Sequence, residues 1–305
     1  MLAITGTSGF IGKYICPYLP FPQKKLFSSS VSEYILDEGN NSKSITFPPH
    51  DLSSFIKDTS TLIHLACKSN PRNAIFSFQE DLTFTTQLFE HFAQANPNGH
   101  IIFASTGGNM YSSELPHKPR TEKDPPSPNS IYSVQKLAAE HYLRLMCQTY
   151  GISATVLRIS NPYGTLLEPE RLQGLIGIAF NKILLNQTLT IFDSSDSVRD
   201  YIHLEDLASV FQIVSRNKPL KGLFSVFNIG CGIGYSIQNV IQLIEKISNR
   251  SLQTIYSELA ITTKPSWSVL SHEYFHSQFG WRPQVNLEKG LAKMWNVALS
   301  HSQNI

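Results

Sequence analysis

The run Met1-Leu2-Ala3-Ile4-Thr5-Gly6-Thr7-Ser8-Gly9-Phe10-Ile11-Gly12 decides the fold of this chain. Met1 to Thr5 is a short apolar run that stops abruptly at Gly6, and Phe10 to Leu19 has the spacing of a helix. A buried strand feeding a glycine turn and then a helix is the simplest arrangement. Three glycines let the chain turn tightly, let the backbone approach a pyrophosphate, and let helix pack on strand. The start of the helix adds unpaired N–H groups and a positive dipole end. Glycine-rich turns are common, so the position of this one carries the argument: strand before, helix after, at the head of an alternating run. The reading is a dinucleotide site built from Gly6, Gly9, Phe10, Ile11 and Gly12, with a purely structural turn as its rival.

The alternation continues outward. Lys25 to Phe27 is a short apolar run ending in Ser28-Ser29-Ser30, and Ile45 to Phe47 precedes Pro48-Pro49-His50-Asp51. Thr61 to Ala66 reads as a fully buried strand, Ile75 to Ala95 as a helix, and His100 to Ala104 as a strand. Pro116, Pro119, Pro125, Pro126 and Pro128 exclude helix and central strand, so this segment is an exposed loop. Asn129-Ser130 offers an N-cap to a helix Ile131 to Tyr150, which Gly151 stops before a strand Ser153 to Ile159. Beyond Asn161-Pro162-Tyr163-Gly164 the pattern loosens. Helices are expected near Leu172 to Leu185 and at Leu204 to Ser215, Ser236 to Ile247 and Leu287 to Leu299, with short runs at Leu189 to Phe192 and Phe224 to Ile229. Strands alternating with helices at this spacing predict parallel βαβ units and a covered sheet. No repeat, low-complexity tract or linker separates the halves, so the second is expected to pack on the first.

Composition excludes more than it names. The 305 residues carry 25 Lys plus Arg against 23 Asp plus Glu, a net +2, with 41% hydrophobic and 16% charged residues. That balance gives no footprint for a nucleic-acid backbone and argues against disorder. Cys16, Cys67, Cys147 and Cys231 lie far apart with no CxxC, so neither a zinc site nor a disulfide framework is expected. No metal site is expected elsewhere, and His64, His203 and His272 read as packing or capping residues. The apolar runs are too short to span a membrane, and no basic leader precedes a long apolar stretch. The expectation is a soluble, cytoplasmic protein with neither nucleic acid nor membrane among its partners.

Tyr132-Ser133-Val134-Gln135-Lys136 places a phenol and an ammonium one turn apart on one helix face. A nearby cation favours the phenolate, which is expected to bring the tyrosine down toward working pH and make a proton acceptor for a substrate hydroxyl. The same spacing also occurs on solvated faces. It gains weight by following the proline-rich loop, where a parallel sheet presents its ligand crevice. An acid about 20 residues after the glycine turn would hold ribose hydroxyls. Ser28-Ser29-Ser30 stands there instead, and serine can bond either a ribose hydroxyl or a 2′-phosphate, so this stretch leaves both NAD and NADP open.

These residues together resemble the extended short-chain dehydrogenase/reductase family, of the NAD-dependent epimerase/dehydratase type, and in particular nucleotide-sugar 4-epimerases. The resemblance runs from Met1 to beyond residue 235 and includes Gly6 to Gly12, His64-Leu65-Ala66, Tyr132 and Lys136. Leu157-Arg158-Ile159-Ser160-Asn161-Pro162-Tyr163-Gly164, Arg199-Asp200-Tyr201-Ile202-His203 with Asp206, and Phe227-Asn228-Ile229-Gly230 extend it. It implies an α/β fold: a Rossmann-like doubly wound parallel sheet over residues 1–160 and a smaller α/β substrate-binding domain over 161–305, with segments near 190–235 returning to the first. By the same resemblance Asp51 and Leu52 would reach the adenine, and Leu65 and Ala66 would line the pyrophosphate and nicotinamide ribose. Lys136 would also bond that ribose, and Ser160 would lie near the nicotinamide. Asn161 and Arg199 would hold a nucleotide-diphosphate sugar, Arg199 at the diphosphate, with a local Arg199–Asp200 ion pair as the rival reading. A homodimer is implied, through Ile75–Ala95 and Ile131–Tyr150 as a four-helix bundle.

Several positions depart from the family pattern. A Ser or Thr is usual four residues before the tyrosine of the loop Ala104-Ser105-Thr106-Gly107-Gly108-Asn109-Met110-Tyr111, and Gly107 stands there. Thr106 is the candidate for its role, with Ser105 and Asn109 as rivals. A twin-glycine loop is familiar in bacterial surface-polysaccharide members. The loop lacks the Asp-Glu pair of sugar-nucleotide 4,6-dehydratases, which argues against dehydration. Asp81 replaces a common Asn, and Thr262 to Leu270 lacks the usual Arg and Asp, with Lys264 a substitute. The resemblance therefore implies a 4-epimerase working by transient oxidation at C4. A 4-keto-6-deoxy sugar reductase consuming NAD(P)H is the alternative, and a non-catalytic dinucleotide-binding regulator the third reading.

Overall fold

The computed structural model describes residues 1–20, 24–27, 33–38, 41–46, 52–69, 74–113, 117–166, 174–258 and 266–302. The chain runs β1 (Leu2–Thr5), α1 (Phe10–Ile15), β2 (Lys24–Phe27), β3 (Glu33–Glu38), β4 (Asn41–Thr46), α2 (Leu52–Ile56), β5 (Thr61–His64), α3 (Ala74–Ala95), β6 (His100–Thr106), α4 (Ile131–Tyr150) and β7 (Ser153–Ile159). It continues with β8 (Asn161–Tyr163), α5 (Leu175–Leu184), β9 (Leu189–Ile191), β10 (Val198–His203), α6 (Leu204–Arg216), β11 (Phe224–Ile229), β12 (Gly234–Ser236), α7 (Ile237–Ser248), β13 (Thr254–Tyr256), β14 (Trp267–Ser268), α8 (Glu273–Phe279) and α9 (Leu287–Ser302). Two compact units result: one holds Met1–Met110, Pro125–Arg158 and Ala208–Phe227, the other Tyr111–Asp124, Ile159–Leu207 and Asn228–Ile305.

The first unit is built on an eight-stranded sheet of order β4-β3-β2-β1-β5-β6-β7-β11. β1 pairs parallel with β2 on one side and with β5 on the other, and β5 pairs parallel with β6. The strand order therefore reverses at β1, and the crevice beyond the carboxyl ends of β1 and β5 is where such sheets bind ligands. β1, β5, β6 and β7 are buried along their whole length, as strands covered on both faces must be. Phe89, Phe92, Phe103, Leu143 and Val156 pack with Ala3, Leu62 and Ile101 into the core of this unit.

Two local features differ from the sequence expectation. The helix expected over Phe10 to Leu19 ends at Ile15, because Pro17 enters a 3-10 turn over Cys16–Tyr18. The edge of the sheet is an antiparallel pair, β3 with β4, and β2 also meets β3 antiparallel. The parallel expectation holds for β1, β2, β5 and β6. The segments Ser28-Ser29-Ser30, Asp51 and Lys264 lie outside the described residues.

In the second unit β10 is central, pairing antiparallel with β12 and parallel with β14 and β8. β9 and β13 form a separate parallel pair. α5, α7 and α9 close a core in which Phe180 stacks on Trp295 at 5.7 Å, joined by Val240, Ile244 and Leu291. Tyr163 enters this core and donates a hydrogen bond to Asn286 O at 3.3 Å. Gly290 gives it room, since a Cβ there would lie 2.2 Å from the phenolic oxygen. His203 packs edge-on against Tyr163, its ring 5.2 Å away, and accepts from Glu205 N at 3.2 Å at the start of α6.

Candidate active site

The glycine turn folds as a closed cradle. Gly6 adopts φ +75°, and its N–H and that of Thr7 both donate to Phe27 O, at 2.9 and 3.3 Å. Gly9 N donates to Gly6 O at 3.1 Å, and Lys13 N to Gly9 O at 2.9 Å as α1 begins. A Cβ on Gly6 would lie 2.6 Å from Ala66 N, and one on Gly12 would lie 2.2 Å from Gly6 O. Phe10 and Ile11 are half-buried at the head of α1. The loop after β5 is fastened to the end of β1: Leu65 N donates to Thr5 O at 3.2 Å and Ala66 N to Thr5 Oγ1 at 3.3 Å. Thr5 Oγ1 also meets His64 Nδ1 at 2.7 Å, and His64 Nε2 meets Thr85 Oγ1 at 2.9 Å, so His64 is a core residue. The sequence-predicted cofactor residues Gly6, Gly9, Gly12, Leu65 and Ala66 thus come together where the strand order reverses. Leu52 is half-buried and opens α2.

Tyr132 and Lys136 lie in the first two turns of α4. Ser130 caps the helix by accepting from Ser133 N at 3.2 Å, while Ser133 Oγ accepts from Ser130 N at 3.1 Å. Gly151 closes it in the left-handed conformation at φ +72°. Lys136 is buried, donates to Ala104 O at 3.0 Å, and holds its ammonium 5.7 Å from the centre of the Tyr132 ring and 4.8 Å from that of Phe103. Burial opposes the charge on Lys136, but Cys67, Tyr132, Asp81 and Glu140 outweigh it and hold the ammonium above its ordinary range. Tyr132 corrects the sequence expectation. Burial pushes its phenol above the ordinary value, and Lys136 pulls it down without overcoming that. Cys67 and Asp81 add to the rise.

Ser105 and Thr106 end β6, and the structure separates them. Ser105 Oγ donates to Glu140 Oε1 at 2.5 Å and is therefore spoken for. Thr106 makes no side-chain hydrogen bond among the described residues. Asn109 is half-buried, its backbone O accepting from Asn129 N at 3.3 Å. Asp81, on α3, accepts from Lys68 N at 2.9 Å, from Ser69 N at 2.6 Å, from Ser69 Oγ, and from Cys67 Sγ at 3.5 Å. Burial alone would raise this carboxyl, and these donors bring it below the ordinary value instead.

In the second unit Ser160 N donates to Ile229 O at 2.9 Å, while its buried Oγ has no partner among the described residues. Asn161 Nδ2 donates to Asp200 O at 2.8 Å. Arg199 pairs with Asp193, Nη2 to Oδ2 at 2.6 Å, and also donates to Ser266 Oγ at 2.7 Å and Ser266 O at 3.2 Å. The Arg199–Asp200 ion pair considered from sequence is not formed. Asp200 turns into the unit, accepting from Cys231 N at 2.9 Å and from Gly232 N and Leu270 N at 3.2 Å. Burial pushes its carboxyl up to about 6 against these hydrogen bonds. Among the described residues, no group of three His, Cys, Asp or Glu could hold a metal ion, and no helix is long and apolar enough to cross a membrane.

The profile of the NAD dependent epimerase/dehydratase family matches residues 2–230. The chain belongs to that family. Membership makes it an NAD-dependent enzyme of the short-chain dehydrogenase/reductase type. Among curated relatives, a dTDP-4-dehydro-6-deoxyglucose reductase of Escherichia coli is 29% identical, the match covering 95% of each chain. A UDP-glucose 4-epimerase of Mycolicibacterium smegmatis is 25% identical over 98% of this chain and 99% of its own. The fold matches the crystal structure of UDP-glucose 4-epimerase with UDP-glucose from Thermotoga maritima, with a TM-score of 0.83, 23% identity and 99% of both chains covered.

The structure of this epimerase/dehydratase family member fits a dinucleotide. The glycine cradle leaves no space for a side chain at Gly6 or Gly12, so the backbone there can lie close against a diphosphate. Sequence reasoning missed Asp193, Ser266 and Glu140. Glu140 had a signal, since it follows Lys136 at the same spacing of four that links Lys136 to Tyr132. Asp193 precedes Arg199 in an irregular turn whose spacing matches no helix or strand period, and Ser266 had no signal because only the pairing of β10 with β14 brings it to Arg199.

Proposed function

We propose that this chain is a nucleotide-sugar 4-epimerase in which Tyr132 is the proton acceptor, Lys136 its electrostatic partner and Thr106 the hydroxyl that orients the reacting oxygen. The observation carrying the reading is the α4 pair itself: a phenol beside a buried ammonium that is tied to the end of β6, two strands over from the glycine cradle that follows β1. Bound NAD supplies the hydride acceptor and donor at C4. Gly6, Gly9, Gly12, Phe10 and Ile11 would hold its diphosphate, Leu65 and Ala66 would line the pyrophosphate and the nicotinamide ribose, Lys136 would bond that ribose, Ser160 would lie near the nicotinamide, and Asp51 with Leu52 would reach the adenine. Tyr132 takes the C4 hydroxyl proton as a phenolate and returns it after the 4-keto sugar has presented its other face. Lys136 favours that phenolate against the cost of burial. Asn161 and Arg199 hold the sugar nucleotide, where a guanidinium fork suits a diphosphate. Gly107-Gly108-Asn109 supplies no carboxylate for water elimination, which favours epimerisation over dehydration. Exposed Ile131, Val134 and Leu145 on α4 are the apolar side chains that a homodimer through this helix would bury.

A 4-keto-6-deoxy sugar reductase is the second reading, favoured by the similarity to the E. coli reductase along nearly the whole chain. One experiment separates the two. The purified protein is extracted and its nucleotide identified by mass spectrometry, then incubated with UDP- and dTDP-hexoses and followed by proton NMR. An epimerase carries NAD through purification and produces the C4 epimer without added cofactor. A reductase turns over only a 4-keto sugar with added NADPH. Tyr132→Phe is expected to lower kcat by roughly 10²- to 10⁴-fold in either case. Full activity in that variant would remove the catalytic assignment.

A further inference from the structure

Beneath the pair on α4 lies a second, fully buried charge cluster. Glu140 is one turn beyond Lys136 on the same face of the helix. Its carboxylate accepts from Arg158 Nη2 at 2.7 Å, from Arg158 Nε at 3.2 Å to each oxygen, and from Ser105 Oγ at 2.5 Å. Glu140 is 3% exposed, and Arg158 and Ser105 are each 5% exposed. A buried ion pair is a poor source of stability, because desolvating two charges costs about what their attraction returns, and well-packed apolar residues often do as well. The cluster is placed for something else. Lys136 grips Ala104 O and Glu140 grips Ser105 Oγ, so two consecutive turns of one helix hold two consecutive residues of β6. The next residue is Thr106. Arg158 brings in β7, two residues before Ser160.

We propose that Glu140, fixed by Arg158, is a positioning residue that sets the end of β6 against α4 and so fixes Thr106 relative to Tyr132. The inference rests on the Tyr132 reading above. A carboxylate is suited to the task because it accepts from the guanidinium fork and from a hydroxyl at once, which an amide or an alkyl group does not. The cluster touches neither cofactor nor sugar in this scheme and acts through the hydroxyl beside it.

The test uses the full chain with its bound cofactor and UDP-glucose as probe substrate. Glu140→Gln and Arg158→Met each strand a buried group, and both are expected to lower Tm and kcat together. The informative variant is the double Glu140→Leu, Arg158→Met, which removes both charges. Its Tm is expected to recover to near that of the unmodified protein, while kcat stays at least tenfold low with KM within about twofold. Amide hydrogen exchange over residues 104–106 should remain faster than in the parent, a readout that needs no substrate. Recovery of kcat and of exchange protection along with Tm would overturn the proposal and leave the cluster merely structural. If the double variant does not fold, Ser105→Ala decides: a severalfold loss of kcat at unchanged Tm supports the role, and unchanged kcat overturns it. Tyr132→Phe run in parallel separates the two failures. If it is inactive while the double variant is fully active, only the positioning role is lost; if it is fully active, the site itself is misassigned.

Discussion

Asp81 shows how much one atom's change of chemistry can do to a site it does not enter. Members of the family that this chain resembles commonly carry Asn at this position, and an Asn would satisfy a loop donor through its single oxygen. The Asp81 carboxylate accepts from Cys67, Lys68 and Ser69 together, so it fastens the loop after β5 more completely. Its charge also reaches the α4 pair, raising both the Tyr132 phenol and the Lys136 ammonium. Burial is the larger cause for Tyr132, and Lys136 opposes it. Asp81→Asn removes the negative charge and leaves the burial. The phenolate then forms at lower pH, so the rising limb of kcat against pH moves toward acid. The variant also loses one or more loop hydrogen bonds, a cost of about 1 kcal/mol each. A pH–rate profile of the variant beside the parent measures the first effect, and denaturant melts measure the second. An unmoved limb would show that the Asp81 field does not govern Tyr132.

The strand–turn–helix element from β1 to α1 makes a graded prediction, because its three glycines meet different obstacles. A Cβ on Gly12 would press on Gly6 O at 2.2 Å, backbone against backbone, with no rotamer to yield. At Gly6 the obstacle is Ala66 N at 2.6 Å, and φ +75° adds strain for any side chain. At Gly9 the nearest atom is Gly6 O at 3.2 Å, a contact that a small shift relieves. Gly12→Ala and Gly6→Ala should therefore each cost about 1–3 kcal/mol and release the cofactor on purification, while Gly9→Ala keeps most of it. Thermal melts and the absorbance of the extracted nucleotide report both quantities, and equal losses in all three would sink the cradle geometry. This element was legible because its signal is local: an apolar run, a glycine turn, a helical period. Tyr132, Lys136 and the Ser130 cap were legible for the same reason. The antiparallel β3–β4 edge was not, since its polar sequence has no clean period and its partner is chosen by the sheet. Nor were the partners of Arg199: Ser266 reaches it only through the pairing of β10 with β14, and Asp193 only through the irregular turn that leads into β10.

Across the whole chain, buried titratable groups set opposing responses to acid. In the first unit His64 and His100 are fully buried, and burial pushes both down to about 3 from an ordinary 6.5. Below pH 6.5 the unfolded chain binds protons at these rings and the native chain does not, so stability falls as pH drops from 6.5 toward 3. Each ring contributes at most about 1.4 kcal/mol per pH unit over that window. His203 and His272 in the second unit are also lowered by burial and act in the same sense. Asp200 acts against them. Its carboxyl is raised to about 6 from 3.8, so the native state takes up its proton first, and stability from this group grows as pH falls from 6 to 3.8. The histidines outnumber it, and the net expectation is a protein that loses stability on acidification below pH 6.5. Denaturant melts at a series of pH values test the parts separately. His100→Gln should flatten the acid loss by up to about 1.4 kcal/mol per pH unit. Asp200→Asn should make the loss steeper between pH 4 and 6, the reverse of what removing a carboxylate usually does to acid unfolding. A shallower slope in Asp200→Asn would mean that its three backbone donors win over burial and hold the carboxylate charged in the native chain.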